Sequence, residues 1–254
     1  LPSRSSVTMP PMTDRPAWTD DLLASPHEAA DKASRVRAMF NAIAPRYELV
    51  NTVFSAVRDA SWRRHAVQLA GVRPDDDVLD VACGTGDFAR AFLRGGARSV
   101  TGCDFAHEML LRAAGLSSSS RIEADALRLP FADESFSIVS CAFGVRNFQS
   151  LEAGLREIRR VLRPGGRAVI LEFTRPTNTI FRFLYEFYAG RIMPAAAAIV
   201  GRDRSGAYRY LPRSVVSFLT ADEMVRCLQG CGFGGPRATA LSWGIVAVYV
   251  APRD

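Results

Sequence analysis

The ten residues 78–87, VLDVACGTGD, limit the possible folds of this chain more than any other stretch. The stretch opens with apolar, β-branched residues around Asp80, a pattern that is typical of a buried strand. Gly84 and Gly86 follow, and their missing Cβ atoms allow a tight turn and the close approach of a ligand. From Asp87 onward, apolar residues recur at helical spacing. A strand, a glycine turn and a helix in this order present backbone N–H groups to a ligand in an α/β sheet.

Strands and helices continue to alternate after this turn. Strands are predicted at 99–104, 121–126, 135–143 and 167–173, and helices at 108–114, 150–162 and 220–231. Two helical segments, 27–44 and 51–70, precede the first strand, and 238–251 is predicted to form a hairpin. This order predicts an α/β fold with a mostly parallel seven-stranded sheet and an antiparallel edge hairpin.

The chain is predicted to contain one folded domain. Residues 1–26 are rich in Pro, Ser and Thr and lack sustained periodicity, so we predict a disordered leader there. Residues 27–254 then form a single domain, whose helices in 27–70 flank the ligand crevice. Residues 174–212 interrupt the alternation with an aromatic-rich segment, which we predict to be a helical cap insertion.

The composition narrows the class of protein and its partners. A hydrophobic content of 48% and a charged content of 23% are those of a soluble globular protein. The 32 Lys and Arg residues exceed the 26 Asp and Glu residues by only six and form no cluster, so we predict no nucleic-acid partner. The five cysteines include no C-x-x-C pair, which favours reduced thiols in the cytoplasm and no metal centre. No apolar run reaches the ~18 residues of a membrane span, so any membrane contact is expected to be peripheral.

Three acids follow or end successive predicted strands and indicate the class of ligand. A dinucleotide fingerprint would place a third glycine where this chain has Ala89. Asp80, Asp104 and Asp125 suit a ligand with a ribose, an adenine amino group and an ammonium, and they would repel a pyrophosphate. S-adenosylmethionine has these three features and no phosphate, so we predict it as the cofactor.

Longer motifs extend the argument to a family. The glycine turn resembles motif I of class I S-adenosylmethionine-dependent methyltransferases, which have a Rossmann-like fold. The chain is similar, more narrowly, to the ubiquinone/menaquinone biosynthesis C-methyltransferases over about residues 33–251. The stretches that carry this resemblance are FNAIAPRY at 40–47, ADA at 124–126, LPF at 129–131, AFGVRN at 142–147, LEF at 171–173, YRYLP at 208–212 and GIVA at 244–247.

The resemblance implies a set of cofactor contacts. Thr85 and the turn backbone would contact the methionine part, Asp104 the ribose, and Asp125 the adenine. Many members have a serine where this chain has Ala142, and the lost hydroxyl contact is worth ~1 kcal/mol. The predicted cofactor-binding residues are Asp80, Gly84, Thr85, Gly86, Asp104, Phe105, Asp125, Ala126 and Ala142.

The reaction implied by the resemblance is methylation of a ring carbon in a polyprenyl quinol, with demethylmenaquinol ahead of a ubiquinone precursor. None of the three histidines falls at an expected strand end, so a histidine base is not predicted. The catalytic candidates are Arg146, Asn147 and Tyr185, with Arg146 stabilising a phenolate electrostatically. The equally weighted alternative is that Arg146 and Asn147 only order their loop. The predicted substrate-binding residues are Tyr47, Asn51, Phe143, Tyr188 and Tyr208.

The apolar segment 180–200 has two possible uses. It provides either a groove for the isoprenoid tail, with peripheral contact to the inner face of a membrane, or a surface for a homodimer. Two other functions remain open. One is a class I methyltransferase that acts on another small phenol or lipid, and the other is a non-catalytic scaffold subunit of a quinone-biosynthesis complex.

Overall fold

The computed structural model describes residues 18–46, 58–113, 115–117, 120–175 and 206–254. These residues form a seven-stranded sheet in the order β3-β2-β1-β4-β5-β7-β6. The strands are β1 (Asp77–Val81), β2 (Ser99–Asp104), β3 (Arg121–Glu123), β4 (Phe136–Ala142), β5 (Leu162–Phe173), β6 (Arg237–Leu241) and β7 (Val246–Pro252). The pairs from β3 to β5 are parallel, and β7 pairs antiparallel with both β5 and β6. The predicted fold class is confirmed.

Eight α-helices lie in the described part of the chain. They are α1 (Asp20–Ala24), α2 (Lys32–Ile43), α3 (Asp59–Ala70), α4 (Asp87–Arg94), α5 (His107–Leu110), α6 (Leu151–Val161), α7 (Ala207–Val216) and α8 (Ala221–Gly230). Helix α8 begins with a capping box, in which Thr220 and Glu223 bond each other's backbone N–H groups. No helix within the described ranges is long and apolar enough to span a bilayer.

The sheet is buried on both faces, as a parallel sheet with crossover helices requires. Val78 and Leu79 on β1 are fully buried and point into different core clusters. One cluster contains α6 and α8, and the other contains α3 and α4. Because the parallel strands end at one edge, the loops after β1, β2 and β4 meet there and form the ligand site.

Strand β5 begins five residues before the predicted start at Arg167. Leu162 already pairs with Phe136, and Ile138 pairs with Arg167, so residues 163–166 form a bulge in the strand. Gly165 supports this bulge with a φ of 75°, and its N–H donates to the Arg253 carbonyl at 2.8 Å. The Pro-Gly-Gly sequence at 164–166, which falls between the predicted helix and the predicted strand, lies inside the strand.

The predicted disordered leader extends too far, because residues 18–26 are ordered. Trp18 is 0% exposed and stacks on Tyr210 with ring centroids 4.1 Å apart. Leu23 on α1 is also buried, in a third apolar cluster with α2 and α7. The short helix has too few turns to produce a periodic pattern, so the sequence does not reveal it. This N-terminal segment therefore belongs to the domain.

Trp18→Ala is expected to lower the free energy of unfolding by about 3 kcal/mol, because it removes a fully buried indole and leaves a cavity beside Tyr210. Urea denaturation followed by circular dichroism measures the change. Trp243→Ala is the matched control, since Trp243 is 70% exposed and its loss should cost less than about 0.5 kcal/mol. Equal losses in the two variants would contradict the burial of Trp18.

Candidate active site

The glycine turn after β1 adopts the left-handed backbone conformation at three positions. The φ angles are 54° at Ala82, 55° at Gly84 and 82° at Gly86. Gly86 N–H donates to the Cys83 carbonyl at 2.9 Å and closes the turn directly before α4 begins. The two glycines adopt these angles without the steric cost that a side chain brings, which explains their use here.

Asp104, at the end of β2, ties that strand to the glycine turn. Its two carboxylate oxygens accept the N–H groups of Gly84 at 2.9 Å and Ala106 at 2.8 Å. Burial raises the pKa of Asp104 to about 6, although both N–H donors act in the opposite direction. The carboxylate lines a cavity, where its remaining lone pairs can accept the hydroxyls of a ribose.

The other predicted adenine and ribose residues lie around the same cavity. Phe105, Asp125 and Ala126 line it together with Ala142. The Asp125 side chain is held by the N–H of Leu127, which donates to Oδ1 at 2.9 Å. The structure therefore brings residues from the ends of β2 and β4 and from the loop after β3 together at one wall.

Asp80 is buried inside β1, with 1% of its surface exposed. Ser140 donates its hydroxyl to Asp80 Oδ1 at 2.7 Å, whereas Oδ2 has no hydrogen-bond partner among the described residues. Burial raises the pKa of Asp80 to about 7, and the Ser140 hydrogen bond and the Arg63 charge offset part of this effect. A cation beside Oδ2 would stabilise the ionised form.

A smaller cavity adjoins the first and shares Ala82, Gly84 and Ala142 with it. Arg63, Asp80 and Thr85 all line this smaller cavity. In the described part of the chain, five buried side-chain polar atoms lack a hydrogen-bond partner, and three of them belong to these residues. They are Arg63 Nε, Asp80 Oδ2 and Thr85 Oγ1. Buried polar groups are normally paired, so this cluster indicates that the cavity receives a polar ligand.

The turn after β4 forms the next wall of the larger cavity. Phe143 has a φ of 57°, lines the cavity and is largely buried. Arg146 lies behind this turn and is not part of the cavity wall. It donates to Glu172 Oε1 at 2.6 Å and to the Phe143 carbonyl at 2.8 Å. The geometry therefore favours the loop-ordering alternative for Arg146.

Asn147 reaches the cavity wall and has two protein partners. Its amide oxygen accepts the Tyr210 hydroxyl at 2.9 Å, and its Nδ2 donates to the Phe143 carbonyl at 3.2 Å. Burial raises the pKa of Tyr210 above its usual range, so the hydroxyl remains a donor at neutral pH. The second N–H of the amide has no partner among the residues that the structure describes and can donate to a ligand.

Helix α2 closes one side of the cavity, to which it contributes Ala33 and Phe40. Lys32 Nζ donates to the Phe148 carbonyl at 2.6 Å, and Gln149 accepts the Ala33 N–H at 2.9 Å. Burial, reinforced by the nearby Arg146 charge, lowers the pKa of Lys32 to about 8. The helix is thus fixed to the turn that carries Asn147.

Four predicted site residues lie outside the described residues, namely Tyr47, Asn51, Tyr185 and Tyr188. The backbone of Tyr208 belongs to α7, and its side chain is not described. Sequence reasoning missed Arg63, Glu172 and Tyr210. Glu172 and Tyr210 occur within the LEF and YRYLP stretches that were singled out, whereas Arg63 occurs in an ordinary amphipathic helix.

Comparison with known proteins decides the family. The sequence model of the ubiE/COQ5 methyltransferase family matches residues 28–253. The chain belongs to this family. It is 39% identical to the ubiquinone/menaquinone biosynthesis C-methyltransferase UbiE of Geotalea daltonii, covering 88% of this chain and 98% of the relative. It is 41% identical to the demethylmenaquinone methyltransferase of Deinococcus radiodurans, covering 88% and 94%.

Solved structures support the fold of this ubiE/COQ5 family member. An S-adenosylmethionine-dependent methyltransferase from Thermotoga maritima matches with a TM-score of 0.62 and 16% identity, covering 85% of this chain and 99% of that one. A phosphoethanolamine N-methyltransferase from Haemonchus contortus, in complex with S-adenosylhomocysteine, matches with a TM-score of 0.56 and 14% identity, covering 75% and 52%. At these identities the likeness is one of fold.

The chain is an S-adenosylmethionine-dependent methyltransferase. Its residues fit this cofactor, because the three unpaired polar atoms around the small cavity comprise a donor, an acceptor and a hydroxyl. The amino-acid end of the cofactor carries a carboxylate and an ammonium, which complement such a set. The assignment of individual contacts remains a prediction for every cofactor-binding residue.

Asp80→Asn is expected to change the pH dependence of stability. The folded Asp80 keeps its proton up to about pH 7, while an unfolded Asp releases it near pH ~4, so stability of the parent protein falls between these values. Asn carries no titrating proton, so the stability of the variant does not fall in this way. The unfolding free energy of the variant minus that of the parent should therefore rise by about 2 kcal/mol from pH 5 to pH 8.

Asp77→Asn is the matched control on the same strand. Hydrogen bonds from Arg98 hold the pKa of Asp77 at about 2, so this group is ionised in both states from pH 5 to pH 8. The difference in unfolding free energy between Asp77→Asn and the parent should therefore stay constant over that range. Urea titrations of the ligand-free protein at both pH values provide the measurement. If the difference in unfolding free energy between Asp80→Asn and the parent were also constant, burial would not raise the pKa of Asp80.

Proposed function

We propose that this methyltransferase transfers a methyl group to a ring carbon of a polyprenyl quinol, with demethylmenaquinol as its main acceptor. The observation that carries the proposal is that Asn147 and the cofactor-binding turn line one cavity. Relatives at 39% and 41% identity are named for ubiquinone/menaquinone biosynthesis and for demethylmenaquinone. Methylation of a ubiquinone precursor is the second candidate, favoured by the first of these names.

The chemistry requires positioning more than acid–base strength. Bound S-adenosylmethionine supplies an electrophilic methyl group on a sulfonium. The protein must hold the ring carbon in line with that methyl group and exclude water, and such orientation accounts for much of the rate gain in two-substrate reactions. Phe143 and Phe148 provide apolar walls that suit a quinol ring, and Asp104 fixes the turn that would hold the cofactor.

Asn147 is the proposed acceptor-binding residue. Its second N–H can donate to a ring oxygen, which would stabilise the phenolate that forms when the ring hydroxyl is deprotonated and would hold the ring carbon towards the methyl group. Tyr210 and the Phe143 carbonyl fix the amide orientation, since one donates to its oxygen and the other accepts from its nitrogen. The amide is therefore pre-organised before the acceptor arrives.

Arg146 is proposed as a positioning residue. Its charge is already compensated by Glu172 at 2.6 Å, so little of it acts on the cavity. The guanidinium does not act as an acid or a base, because arginine keeps its proton in proteins. What it contributes is a hydrogen bond to the Phe143 carbonyl, the same oxygen that accepts from Asn147.

A polyprenyl acceptor resides in a membrane, so we propose peripheral contact with a bilayer through the β6–β7 tip. Trp243 at this tip is 70% exposed, and the Arg58 guanidinium lies 5.9 Å from its ring centroid. The tip is at the carboxyl edge of the sheet, because Val246 pairs with Phe173 at the end of β5. An exposed Trp beside an Arg suits an interface of anionic lipid headgroups.

The function is tested with purified protein, labelled S-adenosylmethionine and each of the two reduced quinone precursors. Labelled methyl is expected on demethylmenaquinol, and transfer to neither quinol would refute the proposed substrate class. Asn147→Ala should lower kcat by about 100-fold, the size seen when a hydrogen-bond donor to an oxyanion is lost, and leave the KM for the cofactor unchanged.

Tyr210→Phe is the control for Asn147. It removes only the hydroxyl that orients the amide, so kcat should fall less than in Asn147→Ala. A fall in Tyr210→Phe as large as in Asn147→Ala would mean that the whole wall, and not the amide N–H, is required. Unchanged kcat in Asn147→Ala would remove this residue from the mechanism.

Membrane contact is tested by sedimentation with vesicles of phosphatidylglycerol or phosphatidylcholine. Binding to the anionic vesicles should shift the tryptophan fluorescence to the blue, because Trp18 and Trp62 are 0% and 7% exposed and Trp243 dominates the solvent-exposed signal. Trp243→Ala should weaken binding severalfold. Leu111→Ala should not, because Leu111 is also exposed, at 60%, but lies away from the tip. Equal binding of all three proteins would refute the proposed tip.

A further inference from the structure

Arg63 is a buried cation that the family motifs do not include. It lies on α3, with 8% of its side chain exposed, and faces the small cavity with Asp80 and Thr85. Its Nη1 donates to Asp59 at 2.5 Å, and its Nη2 is 3.7 Å from Asp87. Its Nε is buried and has no partner among the described residues.

We propose that Arg63 binds the carboxylate at the amino-acid end of the methyl donor, and that the enzyme thereby selects donors that keep this group. The proposal rests on the cofactor assigned above and adds to it a residue and a basis for specificity. A buried N–H without a partner costs free energy, which a carboxylate oxygen in the cavity would recover.

The position of Arg63 is fixed before any ligand binds. The two neighbouring acids hold the guanidinium by its Nη atoms, and the centre of the guanidinium lies 5.8 Å from the Phe143 ring centroid. The adjacent Trp62 packs edge-on against Phe143 and Phe173 and donates its Nε1 to Ser242 at 2.9 Å. The start of α3 is therefore anchored directly before the residue that would meet the ligand.

The charges around the cavity favour a zwitterion over a simple anion or amine. An anion beside Arg63 alone would meet the Asp87 carboxylate, and the Asp80 carboxylate once this group is ionised, because both residues line the same cavity. An α-amino acid group avoids this conflict, because its ammonium can face Asp80 Oδ2 while its carboxylate faces Arg63. The Thr85 hydroxyl, which also lacks a partner in the described part of the chain, can donate to the carboxylate.

The consequence is selection at a point remote from the transferred methyl group. An analogue that lacks only the carboxylate keeps its adenine, ribose and ammonium contacts but leaves Arg63 Nε unpaired and buried. Losing one partner of a desolvated charge pair is costly, so the wild-type protein should bind S-adenosylhomocysteine about 100-fold more tightly than its decarboxylated analogue. This ratio isolates the carboxylate contact from the rest of the site.

Calorimetric titration of the full chain with these two ligands tests the proposal. Arg63→Met keeps much of the length of the side chain without its charge. In this variant the affinity ratio of S-adenosylhomocysteine to its decarboxylated analogue should fall below about threefold, while the decarboxylated analogue binds as tightly as it does to the parent protein. Arg63→Lys should restore part of the ratio. Arg64→Met is the matched control, because Arg64 is the next residue of α3 and is exposed, and it should leave the ratio unchanged.

The possible outcomes separate this inference from the proposed function. If Arg63→Met weakens both ligands equally, or if the wild-type ratio is near one, Arg63 does not bind the carboxylate. The quinol assay remains unaffected by that result. If Arg63→Met fails to fold, the wild-type ratio and Arg63→Lys decide the question alone. Methyl transfer to neither quinol would overturn the acceptor, and the carboxylate preference could still hold.

Discussion

The buried ion pair between Arg146 and Glu172 is the interaction on which the acceptor side of the structure depends. Glu172 is fully buried on β5, and burial raises the pKa of its carboxyl even though Arg146 lies beside it. Arg146 extends the pair to Ser214 on α7 and to the carbonyl of Phe143. Breaking such a pair on one side leaves an uncompensated buried charge, which typically costs 3–5 kcal/mol. The pair therefore fixes the strand, the turn and the helix relative to one another.

The donor side is organised differently, around polar atoms that the protein leaves unpaired. Asp104 accepts two backbone N–H groups, so its carboxylate both joins β2 to the glycine turn and lines the ligand cavity. Within the described ranges, Asp80, Thr85 and Arg63 each have one buried side-chain atom without a hydrogen-bond partner. Buried unpaired groups lower the stability of the free protein, and a ligand that pairs them returns this free energy as affinity. Stability and affinity are thus coupled at this end of the crevice.

The sequence predicts the parts of the structure that local patterns encode. The strands, the glycine turn at Gly84 and the acids at strand ends follow from hydrophobic periodicity, because parallel strands end at one edge. Arg63 shows where such reasoning ends. Nothing in the sequence distinguishes it from Arg64, since only the packing of α3 decides which of the two enters the cavity. Trp18 was missed for a similar reason, because its partner Tyr210 lies in the distant α7.

The contact between Trp18 and Tyr210 also has a temporal consequence. About 190 positions separate the two residues, yet the ring of one completes the packing around the hydroxyl that orients Asn147. During synthesis Trp18 leaves the ribosome long before Tyr210, so its indole cannot be buried in this stack until α7 has been made. The packing behind the acceptor wall is therefore complete only when these two distant segments have come together, whereas Asp104 and Gly84, which hold the donor-binding turn, are 20 positions apart.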